Sequence, residues 1–177
     1  MIFRNHHIHC NIKMMRLLLY LFFVIALSNC SISQKIYLKA DGSATIFASE
    51  EETEEVKEFY NSDQITNLKW GSNGGINFNI KKIDSLGNYL SPAFNKNIFS
   101  FKLKDDSLFF IQNAGLVFEN SDCILTSTIE ILPERKIKEI QTSNDGIKQK
   151  NNRIIIKRSR KNFTNMLEKI NLQIIFD

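Results

Sequence analysis

The chain has 177 residues, 43% of them hydrophobic, with 23 Lys and Arg against 19 Asp and Glu, a formal net charge of +4. That length supports one domain with a core of its own, and the apolar content excludes a disordered or low-complexity chain. Three cysteines are too few for a disulfide framework, so a core must hold the fold together.

The first element in chain order is an export signal. Arg16 precedes eleven apolar residues, 17–27, and Ser28 and Asn29 lead into Cys30. Eleven residues are too few to span a bilayer, which needs about 20, and fall within the usual range of about 7 to 15 for a signal core. Leu27, Ser28 and Cys30 resemble the processing site of a bacterial lipoprotein, in which the cysteine is acylated; Asn29 stands where Gly, Ala or Ser is usual. Ala26 and Ser28 also fit an ordinary signal peptidase, which would leave a soluble secreted protein. Residues 1–29 are expected to be removed, with 1–13 either an upstream extension before a second start at Met14 or Met15 or an unusually long basic n-region, and residues 30–34 to form the lipidated cysteine and a tether.

Removal of the leader changes the available chemistry. His6, His7 and His9 all lie in it, so the remaining chain has no histidine for a Ser/His/Asp triad, a Cys/His pair or a histidine zinc site. Cys10 goes too, and Cys123 becomes the sole free thiol, expected to pack as a small hydrophobe. The bases fall to 20 against an unchanged 19 acids, and the two signs separate along the chain. Residues 41–63 hold eight acids and one lysine, whereas 135–161 hold ten bases against Glu139 and Asp145.

The domain proper, 35–177, reads mainly as strands. Ile36, Leu38, Ala44, Ile46 and Ala48 share one face if the loop 40–42 has three residues and Gly42 is left-handed. Ser49 and Glu52 form a capping-box pattern, predicting a short helix near 50–60 with an apolar stripe of Val56, Phe59 and Tyr60 and a solvated glutamate face. Residues 71–75 form a loop without the Lys-Ser/Thr of a nucleotide site, and Ile76, Phe78 and Ile80 alternate as a strand. Residues 84–88 form a turn. A hairpin turning at Asp105 and Asp106 sets Phe101 opposite Phe110 and Leu103 opposite Leu108. The two aspartates read as a turn, not as paired catalytic acids. Strands follow over 123–132, 136–141, 153–157 and 170–176, with Pro133 ending the first, a turn at 144–146, and a helical turn or loop over 162–169.

The YLKADGSATI hairpin and the order of apolar strand, Pro133, basic strand, Asn-Asp-Gly turn, Ile-rich strand and closing strand resemble small bacterial envelope lipoproteins of the LppM-like kind, Bacteroidota-type members in particular. The resemblance implies a β-rich domain behind a lipidated cysteine in the cell envelope. It brings no catalytic residues.

The expected fold is therefore α+β, predominantly antiparallel β as hairpins or a meander in a sandwich or half-barrel, with one short helix. The expected function is non-enzymatic, a binding or assembly module anchored through Cys30 in the outer membrane and facing the periplasm, because residues 31–35 lack acidic sorting signals. The alternatives are a lipocalin-like carrier of a small apolar ligand, a secreted soluble β domain, and a histidine-free hydrolase using carboxylates or a Ser/Lys pair. No cofactor, metal or nucleic acid is expected. Lys148, Lys150, Arg153, Lys157, Arg158, Arg160 and Lys161 crowd into fourteen residues without an acid. They read either as a solvated strand edge or as a contact for anionic lipid, envelope polymer or another envelope protein.

Overall fold

The computed structural model describes residues 31–49, 52–72, 74–90, 99–113, 126–159 and 169–177. The expected signal, Cys30, Cys123 and most of 162–169 lie outside the described residues. Ser31–Asp177 forms one compact unit.

The chain opens with the expected hairpin, β1 (Ser31–Leu38) and β2 (Ala44–Ala48), registered with Ile36 opposite Ile46 and Leu38 opposite Ala44. Lys39 N–H donates to the Ser43 carbonyl at 2.9 Å, leaving residues 40–42 as a three-residue loop in which Gly42 takes φ +82°. Asp41 accepts from the Ser43 hydroxyl at 2.7 Å and its N–H at 2.9 Å, and these bonds hold its carboxyl below the usual carboxylate range. β1 starts four residues earlier than expected. Residues 31–34 are not a tether: β1 pairs in parallel with β7 (Thr126–Pro133) from Ser31↔Thr126 to Leu38↔Pro133, and Gln34 is buried.

The helix also differs from expectation. Thr53, not Ser49, is the N-cap, its hydroxyl accepting from Val56 N–H at 3.2 Å, so α1 spans only Glu54–Phe59. This start leaves Glu52 outside the helix, where it and Glu54 clasp Lys57 at 3.1 and 3.0 Å and raise its pKa. Tyr60, just past the helix, fixes it to the core through Phe78 at 5.1 Å and Trp70 at 6.3 Å.

β3 (Ile65–Trp70), which the sequence pattern does not announce, pairs with β4 (Ile76–Ile80) across a bulge at 66–69, with Asn67 at φ +55°. The expected turn at 84–88 is a 3-10 helix, Ile83–Asn88, because its threefold repeat turns Ile83 and Leu86 together into the core. Gly87 there is obligatory: a Cβ would stand 2.2 Å from the Phe99 carbonyl oxygen. β5 (Phe99–Lys104) and β6 (Ser107–Gln112) form the expected second hairpin, with Phe101↔Phe110 and Leu103↔Leu108. The C-terminal strands are β8 (Ile137–Thr142), an unexpected short β9 (Ile147–Gln149), β10 (Ile154–Ser159) and β11 (Ile170–Phe176).

Two sheets result, one of seven strands in the order β3-β4-β2-β1-β7-β10-β9 and one of four in the order β5-β6-β11-β8. All pairings are antiparallel except β1 with β7. Neither sheet closes into a barrel. One core joins them, with Ile36, Ile46, Phe78, Ile129 and Ile156 on the larger sheet and Phe110, Leu172 and Ile174 on the smaller. Where β7 passes to β8, Asn152 accepts from Ile137 N–H at 2.8 Å and donates to the carbonyls of Pro133 and Arg135 at 2.9 and 3.0 Å. Arg135 bonds Asp106 at 2.6 Å and lies 5.4 Å above the Phe176 ring, tying the smaller sheet to that corner.

Phe110 is fully buried between Phe99 and Phe101, whereas Phe47 is 41% exposed on the other side of its sheet. Phe110→Ala should therefore cost about 3–5 kcal/mol and Phe47→Ala, which loses a partly exposed edge-to-face contact with Tyr37, about 1 kcal/mol. Denaturant titration of the two variants measures this; equal losses would contradict the assigned faces.

Candidate functional site

Strand alternation divides the basic cluster. Lys148, Lys150 and Lys157 are exposed, but Arg158 follows Lys157 on β10 and so faces inward beside Ile154 and Ile156, only 3% exposed. Arg153 is half-buried, 3.7 Å from Glu130. That acid is distant in sequence yet sits opposite Ile155 in the ladder, so the patch is not free of acids as its own fourteen residues suggest. Arg160 and Lys161 lie outside the described residues. The seven bases thus do not form one surface.

What the fold assembles instead is the outer face of the seven-stranded sheet. The register aligns Phe47, Lys35, Glu130, Ile155 and Lys148 in one row across β2, β1, β7, β10 and β9. A second row sets Thr45, Tyr37 and Leu132 side by side, and a third sets Ser33, Thr128 and Lys157. Tyr37 and Phe47 are diagonal neighbours in edge-to-face contact, centroids 5.5 Å apart and each 41% exposed. They wall a shallow groove with Ser33, Lys35, Ala48 and Ser49.

Lys35, Tyr37 and Phe47 are absent from the sequence-based site, although a signal for them exists. If Ile36, Leu38 and Ile46 point inward, their immediate neighbours must point outward. This face presents two aromatic rings standing out of the sheet with Lys35 beside them, Lys157 two strands away from Lys35 on β10, and Glu130 engaged by Arg153. Among the described residues no three His, Cys, Asp or Glu side chains converge to hold a metal, and no helix is long and apolar enough to cross a membrane.

No family model and no curated protein matches the chain. Among solved structures it is similar to the folded domain of the Mycobacterium tuberculosis LppM protein, with a TM-score of 0.50 and 11% identity, over 82% of this chain and 89% of that one. At that identity the similarity is one of fold.

The inward position of Arg158 has a direct consequence. Arg158→Gln removes a buried charge together with its interior contacts and should cost on the order of 3 kcal/mol, while Lys157→Gln should stay within about 0.5 kcal/mol. Thermal unfolding of the two single variants distinguishes them; two near-neutral substitutions would put Arg158 at the surface.

Proposed function

We propose that this chain is a non-enzymatic envelope protein, anchored by acylation of Cys30, that uses the outer face of its larger sheet to bind an anionic surface such as lipid headgroups. The observation carrying this reading is the start of β1 at Ser31, one residue after Cys30, in the strand that bears Lys35 and Tyr37. An anchor at Cys30 then joins the sheet without a linker, and the exposed rings and lysines lie in the same sheet as the attachment point. Acyl chains supply retention, which a single chain provides only marginally; basic side chains near an anionic surface add about 1 kcal/mol each. The fold shared with the LppM domain agrees with the sequence resemblance to envelope lipoproteins. The absence of acids over residues 31–35 favours an outer-membrane anchor facing the periplasm.

Two measurements test the reading. The intact mass of the membrane-extracted protein should show a start at Cys30 with added acyl mass, and Cys30→Ala should release the protein from membranes; an unlipidated start at Asn29 would refute the anchor. Residues 31–177, a compact unit with its own core, should bind anionic vesicles but not neutral ones. That binding should weaken at least about tenfold as salt rises from low to physiological. Lys35→Gln with Lys157→Gln should weaken it about thirtyfold at low salt, while Lys102→Gln with Lys104→Gln on the smaller sheet should leave it intact. Equal effects of the two pairs would dismiss the face.

A second reading, a carrier of a small amphipathic ligand between the sheets, draws on two buried amides. Gln112 is 1% exposed and neither of its amide atoms has a hydrogen-bond partner, and Gln34 donates to the Leu90 carbonyl while its Oε1 has none. Such orphans cost about 1–3 kcal/mol each, a cost that a guest's polar group would offset. Native mass spectrometry decides this reading: a bound mass supports it, and a bare chain counts against it.

A further inference from the structure

The seven-stranded sheet ends in two unlike edges. Among the described residues β3 pairs only with β4 at one end and β9 only with β10 at the other, so both outer edges are open. Beside β3 runs a groove whose other wall is α1, lined by Glu55, Glu58, Ile65, Leu68 and Trp70. Lys57 is already held by Glu52 and Glu54, and Lys69 is the other base at this edge. Glu55 and Glu58 are exposed and form no ion pair among the described residues. The opposite edge carries Lys148 and Lys150, both exposed and forming no ion pair among the described residues, with Arg153 and Lys157 behind them. Its acids are Asp145, before β9, and Glu130, which Arg153 engages.

Open edges are normally covered or guarded by charge, because an unpaired strand invites another chain. Charge of one sign on both edges would repel identical copies. Here the sheet order sends the acidic stretch to one edge and the basic stretch to the other, so identical copies attract edge to edge. The acidic groove needs a cationic strand, and the chain carries one of its own.

We propose that the protein self-associates head to tail, the β9 edge of one copy docking through Lys148 and Lys150 in the groove between α1 and β3 of the next, against Glu55 and Glu58. The contact is heterologous. Each added copy leaves one acidic and one basic edge free, so the products are open rows or closed rings. The outer face bearing Tyr37, Phe47 and Lys35 stays uncovered, and the association requires neither a lipid nor the surface binding proposed above.

Sedimentation of residues 31–177 tests this through complementation. The unaltered domain should grow from monomer to a series of larger species between micromolar and millimolar concentration at low salt, with affinity falling at least about tenfold at high salt. Lys148→Glu with Lys150→Glu blocks the basic edge, and Glu55→Lys with Glu58→Lys blocks the acidic one. These positions are exposed, so both variants should melt as the parent does. Each should be monomeric at low salt, and an equimolar mixture should associate again as a series of alternating copies, because one contact restores the native edge pair and the reversed charges attract at the other. Three results would overturn the proposal: a parent domain that remains monomeric throughout, a single-edge variant that still grows into a series, or a mixture that does not associate. The milder pair Lys148→Gln with Lys150→Gln should reduce association without reversing it, and full association by that pair would equally exclude the contact.

Discussion

The parallel pairing of β1 with β7 is the constraint on which the rest of the structure depends. Eight consecutive register partners join residues 31–38 to residues 126–133. Without them the large sheet falls into two pieces, β3-β4-β2-β1 from the first half of the chain and β7-β10-β9 from the second. Parallel neighbours require a long connection, and here it contains most of the domain, including the β5-β6 hairpin of the smaller sheet. Ordering so long a loop is entropically costly. The ladder's return is the burial of Ile36, Ile129, Ile131 and their neighbours in one continuous core.

That pairing also determines what the surface can do. With β1 beside β7, Lys35 meets Glu130 and Tyr37 meets Leu132, so side chains from both halves of the chain share one outer face. Period-two alternation then divides residues that are adjacent in sequence: Lys157 goes to water and Arg158 to the core. The sheet order places the acidic helix and the basic hairpin at opposite edges. Charge that reads in the sequence as two blocks becomes a polarity across a single sheet.

Local features were the most legible in the sequence. The loop at 40–42 follows from matching the inward faces of two strands, and Phe101 opposite Phe110 follows from the tight turn between them; the structure has both. β11 shows clean alternation because one face is buried along its whole length. β3 lacks that pattern, since only Ile65 is buried and the bulge interrupts its phase. β9 has three residues, too few for any period to appear. The helix cap moved from Ser49 to Thr53 because a capping box is a local preference, whereas Tyr60 must reach Phe78. The β1–β7 pairing has no local signature, so residues 31–34 read as a tether; Arg158 read as surface because the strand expected over 153–157 stops one residue short of it, whereas β10 runs to Ser159 and continues the inward phase of Ile154 and Ile156. Half of the candidate face was accessible in principle through the outward phase of Lys35, Tyr37 and Phe47. The other half, its neighbours on β7 and β10, depends on long-range register.

The central claim is that an anchor at Cys30 and the ladder beginning at Ser31 together set the outer face of the larger sheet against an anionic surface. The most direct measurement is the depth of spin labels on the acylated protein in anionic bilayers, with one label at position 47 on that face and another at position 102 on the smaller sheet. The account predicts that the label at 47 is shielded from a water-soluble relaxation agent and lies at headgroup depth, while the label at 102 remains in water. Equal aqueous exposure of the two labels, or a deeper label at 102, would contradict it.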